Sequence, residues 1–583
     1  MHYLKRIMVC CCILFAGVFA SQAKIADPAP CIAILGNEVL TLQKPIPFID
    51  ARTGPGDQIG TTAYDYQANG SFGQRIDVDD SAQAHIDWMW QDYPGQTVRY
   101  CAWNARFADG SYYGETQACP SYTGYVQLDV TQDANPDDQR SVIVYHEFGA
   151  PNYLSFMDID GGNLWGAWPN DPHTVNVNNS VWPYICVTGN NNIVIATGDF
   201  STNEQHLYLS TDAGVNWTSL ADFDSCATLS QFLRASHNSD KVVYVHTQFI
   251  TDSVASGQLD NNVYYMLSTD GGQTWGTHTN ITNYAPSDSI RAYCSVNAVF
   301  DANDDLHIAW SGRRVTDNYY EASKIYHWDE VSGNIHIVSS PSTYYSDPGG
   351  WWLETATGGD YGGWRLPADQ PQLVVDNSTN DLYCLWHGND DYNDASAGGF
   401  VNGEFYGSRS SDGGATWSSY INLTNTRTPG GAAGACDDED YMTACPRVVN
   451  DSIFLSYVED KDAGGFPQGE GSLTDNPVRC WVFHTFTGIV ENESETLNAT
   501  TFSLAPNPAT RITTLGYTVA TAGQVDITLF DASGRVVDKL DNGYRSAGVY
   551  SLTIDTDNLA NGTYFVVIDA PDQDASSFLV VVH

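Results

Sequence analysis

Residues 210–217 read Ser-Thr-Asp-Ala-Gly-Val-Asn-Trp, and the pattern returns at 268–275 as Ser-Thr-Asp-Gly-Gly-Gln-Thr-Trp and at 410–417 as Ser-Ser-Asp-Gly-Gly-Ala-Thr-Trp. A fourth copy at 158–165, Asp-Ile-Asp-Gly-Gly-Asn-Leu-Trp, carries Asp in the first position. The pattern predicts a tight hairpin, because Asp accepts hydrogen bonds from turn N–H groups, Gly adopts positive φ, and Trp fixes the hairpin to its sheet. The residues that carry this prediction are Asp160, Gly162, Trp165, Ser210, Asp212, Gly214, Trp217, Ser268, Asp270, Gly272, Trp275, Ser410, Asp412, Gly414 and Trp417.

These turns resemble the Asp-box, or BNR repeat, of sialidase-like β-propellers. Short apolar strands recur around them, for example at 193–197, 241–246 and 305–310. Four short antiparallel strands to a repeat make one propeller blade. The sequence therefore predicts an all-β chain with a propeller over residues 70–488.

The blade number is predicted from seven late hairpins that begin near positions 104, 158, 210, 268, 328, 410 and 484. This spacing favours seven blades. Six blades, the number typical of sialidases, is the alternative, with the first or last unit as an accessory sheet. Residues 24–69 are expected to be a lead-in segment, with the alternative that residues 24–59 donate a closing strand. The Trp- and Tyr-rich stretch 340–366 is expected to be an inserted loop, either a carbohydrate platform or packed on its own blade.

The two ends of the chain carry export signals. Residues 1–23 combine a basic start, a short apolar run and small residues before Lys24, which is typical of a secretory signal peptide. No later segment reaches the length of a transmembrane helix. After an acidic linker at 489–498, residues 499–583 alternate short strands with Gly and Pro turns, which predicts a small Ig-like β-sandwich. Its order resembles the C-terminal sorting domain of type IX secretion, so the resemblance implies export machinery as a partner and a secreted or surface-attached protein.

Composition limits the choice of partners. The chain has 583 residues, 25 Lys+Arg and 70 Asp+Glu, and a formal net charge of −45. So negative a surface repels phosphate backbones, and nucleic-acid binding is excluded.

No cofactor is required by any motif. Ca²⁺ is possible because closely spaced carboxylates suit a hard cation. The candidate clusters are 77–80, 137–138, 301–305 and 437–440.

Ten cysteines lie beyond the signal peptide, and an even number in an exported chain favours disulfides. The pairs nearest in sequence, Cys101–Cys119 and Cys436–Cys445, are the expected bridges. No Cys/His spacing indicates a zinc site, and we therefore expect no metal-ligand motif.

Four arginines are the candidate ligand-binding residues of the central channel: Arg75, Arg234, Arg291 and Arg447. Sialidases clamp a carboxylate with three arginines, and the resemblance makes a triad such as Arg75, Arg291 and Arg447 conceivable. The alternative is that they pair with the abundant Asp around the channel. No spacing singles out a catalytic residue among the acids and tyrosine that could assist, which are Tyr441, Glu354, Glu404, Glu439 and Asp369.

Two functions follow. The first is a surface-displayed propeller that binds an extracellular glycan or protein without catalysis. The second is a retaining exo-glycosidase of sialidase type that acts on acidic sugars, a reading that rests on fold analogy. Histidines in predicted second strands (His85, His146, His246, His307, His387) are expected to have packing roles.

Overall fold

A computed structural model describes most of the chain between residues 46 and 583. The described residues are 46–47, 54–91, 99–119, 122–147, 154–158, 168, 173–176, 180–199, 202, 204–224, 226–250, 260–314, 322–339, 352–353, 360–389, 391, 393–486, 502–505, 507–519, 523–531, 535–545, 548–570 and 573–583. Apart from two short 3₁₀ helices, Pro136–Asp138 and Phe466–Gln468, their regular structure is β-strand. The chain divides into two compact units, Met1–Ile489 and Val490–His583.

Consecutive antiparallel strands build the first unit, after β1 (Ile46–Pro47) and β2 (Asp57–Thr62). The first three sheets contain β3 (Ile76–Val78), β4 (Ala84–Gln91), β5 (Arg99–Arg106) and β6 (Thr116–Gln117); β7 (Thr123–Val130), β8 (Ser141–Glu147), β9 (Leu154–Asp158) and β10 (His173–Asn176); and β11 (Ser180–Val187), β12 (Ile193–Asp199), β13 (Glu204–Ser210) and β14 (Thr218–Phe223).

The remaining strands of this unit repeat the same order. They are β15 (Cys226–Ala235), β16 (Val242–Phe249), β17 (Asn261–Ser268) and β18 (Thr279–Asn280); β19 (Ile290–Phe300), β20 (Leu306–Arg314), β21 (Ala322–Asp329) and β22 (Ile335–Ile337), with β23 (Trp352–Leu353) beside β21; β24 (Ala368–Asp376), β25 (Asp381–Gly388), β26 (Glu404–Ser410) and β27 (Ile421–Asn422); and β28 (Asp438–Ala444), β29 (Ser452–Asp460) and β30 (Thr474–His484).

The first strands of these groups form the wall of a central axis. A bridge between Asn261 of β17 and Ala292 of β19 joins the strands β15–β23 into one nine-stranded sheet. Along the described chain β3, β7, β11, β15, β19, β24 and β28 contact one another in that order, and β28 contacts β3. The strands therefore close into a ring, and the predicted β-propeller is confirmed.

The last sheet takes its fourth strand from the other end of the chain. β2 pairs antiparallel with β30, from Asp57 opposite Cys480 to Thr62 opposite Asn476. Within the described residues up to 486, β30 is not followed by the late hairpin expected near position 484, and β2 pairs with the edge of β30. Part of the lead-in segment is thus a strand of the ring, and this pairing ties the start of the propeller to its end.

The three described Ser-Asp-Gly-Trp turns share the hydrogen bonds of Ser and Asp, and the Trp indole donates to the Gly carbonyl in the turns at 268–275 and 410–417. In the turn at 268–275 the Ser268 hydroxyl accepts from Gly272 N–H (2.9 Å), Asp270 accepts from Thr274 N–H (2.8 Å), and the Trp275 indole donates to the Gly272 carbonyl (3.0 Å). The φ of Gly272 is +82°. These contacts are the ones the sequence pattern predicts. Asp160, Gly162 and Trp165 of the fourth copy lie outside the described residues.

These turns also join neighbouring sheets. The Asn192 amide of the β11–β14 sheet donates a 2.9 Å hydrogen bond to the Gly271 carbonyl of the next sheet. Gly414 lies against the ring of His327, from the preceding sheet, so closely that a Cβ atom there would come within 2.0 Å of it. The turns therefore stabilise contacts between sheets as well as their own hairpins.

An extended segment at residues 63–75, here called the axial segment, runs through the centre of the ring. The Ser71 hydroxyl donates to the Cys294 carbonyl (3.0 Å), and Ser71 N–H donates to the Leu229 carbonyl (3.2 Å). Further hydrogen bonds reach the other inner strands, at Leu128, Tyr184, Gln372 and Thr443. The axis is therefore filled by the chain itself.

The second unit is a sandwich of two sheets around its own apolar core, as predicted for the tail. Its strands are β31 (Phe502–Ala505), β32 (Ile512–Val519), β33 (Gly523–Asp531), β34 (Val536–Arg545), β35 (Gly548–Asp555), β36 (Gly562–Ala570) and β37 (Gln573–Val581). One sheet has the order β31-β32-β35 and the other the order β34-β33-β36-β37.

The expected disulfides are not formed, and the nine cysteines of the described residues are free thiols. Cys436 lies before the first residue of β28 and Cys445 after its last. An extended strand of this length separates them by roughly 20 Å, which is far beyond the reach of a disulfide. Cys101 and Cys119 are neighbours, but the Cys119 thiol contacts the Thr123 hydroxyl at 2.7 Å instead. Sequence proximity alone misled the pairing of Cys436 with Cys445.

Candidate functional site

The ring has two distinct ends. Strands within a sheet alternate in direction. The loop between the second and third strands of each sheet therefore lies at the end of the ring where the inner strand begins. Inner strands run side by side, as the parallel bridge from Val375 to Arg447 shows. We call this end the start face, and the opposite end, which carries the Ser-Asp-Gly-Trp turns, the turn face.

Two candidate arginines lie toward the start face. Arg75, just before β3, donates to the side-chain oxygen (2.6 Å) and carbonyl (2.5 Å) of Gln67 in the axial segment. Arg291, at the start of β19, donates to the carbonyls of Pro286 (2.8 Å) and Ile290 (2.9 Å). Their guanidinium groups are buried and hold separate pieces of main chain.

The other two arginines lie toward the turn face. Arg234, near the end of β15, donates to the Ala298 carbonyl (3.2 Å) and the Gln74 amide oxygen. Arg447 follows β28, where it contacts His237 Nδ1 (2.9 Å) and the Val78 carbonyl. Arg291 and Arg447 therefore stand at opposite ends of their strands, and the four arginines do not meet in one carboxylate clamp.

A dense group of carboxylates occupies the start face instead. Inner strand β28 begins Asp438-Glu439-Asp440, and its partner β29 ends Glu459-Asp460. The register places Asp438 opposite Asp460 and Glu439 opposite Glu459. Like charges directly opposite one another destabilise a sheet. The Glu439–Glu459 pair on one face of the sheet and the Asp438–Asp460 pair on the other therefore both need positively charged partners.

Basic side chains compensate the Glu459 side. The Lys461 ammonium bonds Asp437 at 2.7 Å and also Glu459, and the Arg479 guanidinium bonds Glu459. Burial raises the pKa of Glu459, but Lys461 and Arg479 outweigh that effect and hold the pKa below its ordinary value. Glu439, on the same side, has a pKa well above its ordinary value because of burial. This side is an internal ion-pair network.

On the face of the sheet that carries Asp438, fewer basic groups oppose the carboxyl groups. Asp438, Asp440 and His387 of β25 are 0%, 1% and 1% exposed. His387 Nε2 lies 3.3 Å from Asp440 Oδ1, and Arg365 contacts the same carboxylate. Burial raises the pKa of Asp438 to about 6, although the positive charge of Arg365 opposes the rise. The pKa of Asp65, in the axial segment, is raised to about 7, again by burial.

Aromatic rings line the same region. Tyr441, the residue after Asp440, has a φ of +53°, and its ring lies beneath the Arg365 guanidinium at 5.6 Å. Tyr66 of the axial segment meets the edges of both Tyr441 and Trp364, with centroids 6.2 Å apart in each pair. Trp364 is partly exposed and opens this aromatic group to the start face.

The inserted loop contributes Trp364 and Arg365 and packs between sheets. Trp352 is buried and contacts the rings of Trp386, Tyr406 and Tyr420 in the β24–β27 sheet. Its strand β23 pairs with β21 of the preceding sheet. The loop residues 340–351 and 354–359, including Glu354, lie outside the described residues.

Other acids named from the sequence have local partners. Glu404 accepts from the Tyr406 hydroxyl (3.2 Å) and from Thr426 N–H (2.8 Å). Asp369 accepts from the N–H groups of Gln370 (2.8 Å) and Leu366 (3.2 Å). Both are buried, and these contacts hold neighbouring main chain in place.

Three of the four acidic clusters close turns. Asp79 accepts from Ser81 and Gln83 N–H, and Asp301 accepts from Asn303 and Asp305 N–H, all at 2.8–2.9 Å. The pair at 137–138 lies in a 3₁₀ helix. The cluster at 437–440 joins a constellation of buried titratable groups at the start face, and Asp77 of the cluster at 77–80 interacts with the buried Asp129. His387 belongs to the constellation at the start face, whereas His146, His246 and His307 contact Trp182, His278 and His327.

Sequence reasoning identified the acids of this site and missed its basic half. Arg365 lies at the end of the inserted loop and was not singled out, and His387 was expected to have a packing role. The available signal was the concentration of acidic residues in the adjacent strands β28 and β29. Runs such as 437–440 and 459–462 require buried counter-charges once both are placed in one sheet.

Comparisons with known proteins bear on the tail and on the fold. A family model of the secretion system C-terminal sorting domain matches residues 503–582. The predicted sorting domain is confirmed, and the protein reaches the cell surface or exterior through type IX secretion. No curated protein matches the chain.

Several solved structures are similar to the chain at low identity. An ulvan lyase of polysaccharide lyase family PL25 shares 9% identity over 73% of this chain and 96% of its own, with a TM-score of 0.46. The endosialidase of phage phi92 shares 10% over 90% and 87%, with a TM-score of 0.37. A Penicillium chrysogenum α-L-arabinanase shares 12% over 62% and 93%, with a TM-score of 0.37.

Among the described residues no helix is long and apolar enough to cross a membrane.

Proposed function

We propose that this exported propeller binds an extracellular glycan at its start face and does not carry out sialidase-type hydrolysis. One observation carries the proposal: each candidate arginine is already bonded inside the propeller, two toward the start face and two toward the turn face. A sialidase needs three guanidinium groups free to converge on one carboxylate. The net charge of −45 further disfavours acidic sugars, so the proposed ligand is a neutral glycan.

The proposed binding surface is centred on Trp364. This side chain is partly exposed where the axial segment reaches the start face, next to the ring of Tyr66. Aromatic faces beside a few fixed polar groups are the usual means of holding an uncharged ligand. A protein ligand is the other outcome that the test below distinguishes.

We also propose that the ring belongs with sialidase-like propellers of seven blades, on the strength of its three matching turns and its seven inner strands. Residues 1–23 are the proposed signal peptide and 489–498 the proposed linker. Both lie outside the described residues.

A binding screen tests the proposed function. Full-length protein is expected to bind neutral polysaccharides on a glycan array, and Trp364→Ala should weaken that binding at least tenfold. Tyr113→Ala is the matched control, because Tyr113 is an exposed aromatic residue in the β5–β6 turn at the opposite face. Arg291→Ala should leave binding unchanged. Binding confined to sialylated or uronate glycans, or to proteins, would contradict the proposal.

The alternative, a retaining exo-glycosidase acting on acidic sugars, has one observation in its favour. Asp65 and Asp438 have raised pKa values of about 7 and about 6, as a general acid requires. Against it, Asp65 is 2% exposed and Asp438 is 0% exposed, so substrate does not reach either carboxyl group. Turnover of a fluorogenic sialoside that Asp65→Asn abolishes would establish the enzyme instead.

A further inference from the structure

We propose that His387, Asp438 and Asp440 form a binding site for one divalent transition cation, of which Zn²⁺ is the best match, at the junction of the last two sheets. This site is separate from the proposed glycan surface and goes beyond the proposed function. One ligand atom from each of the three residues lies within 4.8 Å of the others.

Two different sheets supply the three ligands. His387 lies near the end of second strand β25, whereas Asp438 and Asp440 begin inner strand β28. Alternate residues of a strand face the same side, so the spacing Asp438-x-Asp440 presents both carboxylates together. A Cβ atom at Gly403 would come within 1.9 Å of His387 Nε2, so glycine leaves room for the imidazole there.

Unsatisfied oxygen atoms provide a second observation. Among the described residues, Asp438 Oδ2 and Asp440 Oδ2 are buried and have no hydrogen-bond partner. A buried carboxylate oxygen without a partner is strongly unfavourable, and proteins avoid such atoms unless an ion or water binds them. Both atoms belong to residues whose ligand atoms converge with that of His387.

The charge of the surroundings also favours a cation. Within the described part of the chain, the guanidinium in contact with Asp440 is that of Arg365. The carboxylates that interact electrostatically with it or share its cluster are Asp65, Asp438, Asp440, Asp460 and Glu470. One guanidinium faces five carboxyl groups, so acidic groups outnumber basic ones here, and a divalent cation would balance them.

The donor set selects the class of metal. Ca²⁺ and Mg²⁺ take oxygen ligands, whereas an imidazole nitrogen suits Zn²⁺ and related transition metals. One imidazole with two carboxylates is an acceptable Zn²⁺ ligand set. The sequence indicated Ca²⁺ as a possible ligand of the carboxylates at 437–440. Because His387 adds a nitrogen ligand, we assign the site to a transition metal instead.

Metal content is the first test. Full-length protein dialysed against Zn²⁺ and then against metal-free buffer with 0.15 M NaCl, roughly physiological ionic strength, should retain about one Zn²⁺ per chain by elemental analysis. Asp438→Asn and His387→Gln should each lower the affinity at least tenfold. Glu439→Gln is the matched control, because it removes an adjacent buried carboxylate on the other side of β28 and should retain the metal.

X-ray absorption at the zinc edge of the unmodified protein supplies a readout that does not depend on variant folding. We expect one imidazole nitrogen and at least two carboxylate oxygen atoms around the metal. Absence of retained Zn²⁺, retention at the same level in all three variants, or an edge spectrum without imidazole would each overturn the proposal. Binding of Ca²⁺ alone, insensitive to His387→Gln, would overturn it as well.

Discussion

The Tyr184 hydroxyl donates a 2.7 Å hydrogen bond to the main-chain carbonyl of Ser71. Tyr184 belongs to inner strand β11, and Ser71 lies within the axial segment, which bonds to other inner strands as well. Through these hydrogen bonds the axial segment links the inner strands to one another at the centre of the ring. Its backbone groups are far from water, so their partners must come from the strands.

Tyr184→Phe is therefore expected to destabilise the propeller. The substitution leaves the buried Ser71 carbonyl without this donor, at a cost of about 1–3 kcal/mol. Urea denaturation followed by tryptophan fluorescence should show a lower midpoint for the propeller transition. Tyr113→Phe, at an exposed tyrosine, should leave that midpoint unchanged. Equal midpoints for Tyr184→Phe and wild type would show that this hydrogen bond to the axial segment does not stabilise the propeller.

Adjacent glycines of one turn offer a second test. Gly413 and Gly414 both have positive φ, +72° and +84°. A Cβ atom at Gly413 meets open space, whereas one at Gly414 would come within 2.0 Å of His327. Gly413→Ala should cost about 1–2 kcal/mol from backbone strain alone, and Gly414→Ala about 1–3 kcal/mol more from overpacking.

Thermal and urea unfolding of the two variants measure this difference directly. Because both substitutions add one methyl group to the same turn, the difference between them isolates the contact with the neighbouring sheet. Equal losses for the two variants would mean that the turn does not join the sheets.

Stability should depend on pH through Asp65. Burial raises its pKa in the folded protein from near 3.8 to about 7. Between these values the folded state holds a proton that the unfolded state has lost, so this group's contribution to stability falls as pH rises from about 4 to about 7. Asp65→Asn removes that dependence and should be more stable than wild type at pH 8, by an amount on the order of 1–4 kcal/mol.

Urea denaturation of both proteins at pH 4.5, 6 and 8, in the presence of a chelator, checks the sign. The advantage of Asp65→Asn should grow with pH and be smallest at pH 4.5. Asp57→Asn, at an exposed carboxyl group, serves as the control and should show no such trend. An advantage that shrinks as pH rises would contradict the raised pKa.

Export should depend on the tail. Deletion of residues 499–583 removes the sorting domain and should leave the protein in the periplasm, whereas fusion of those residues to a reporter should send the reporter to the surface. Cell fractionation and surface labelling distinguish the two locations. Normal display of the truncated protein would show that the domain is dispensable for sorting.

The local parts of the fold were predictable because they depend on neighbouring residues. The Ser-Asp-Gly-Trp turns bond within eight residues, so their pattern indicated the hairpins and, through repetition, the propeller. The tail likewise follows from strand and turn residues close in sequence. The closing strand was not located, because β2 and β30 pair across about 400 residues.

The site was predictable only in part. The acids at 437–440 were visible as a cluster, and they indeed gather at the start face. The arginines at the ends of inner strands looked alike in sequence, yet they lie at opposite faces of the ring and bond separate carbonyls. Sequence gives the position of a residue along its strand but not which groups surround its side chain.

By itself, the sequence determined the all-β architecture, the export tail and the location of the turns, because hydrogen bonding and strand alternation act over a few residues. The tertiary structure alone decided that residues 63–75 fill the axis, that β2 closes the ring, and that His387 meets Asp438 and Asp440. Each of these depends on contacts between residues far apart in the chain. Closure of the ring fixes all of them together, because every sheet is held between two neighbours.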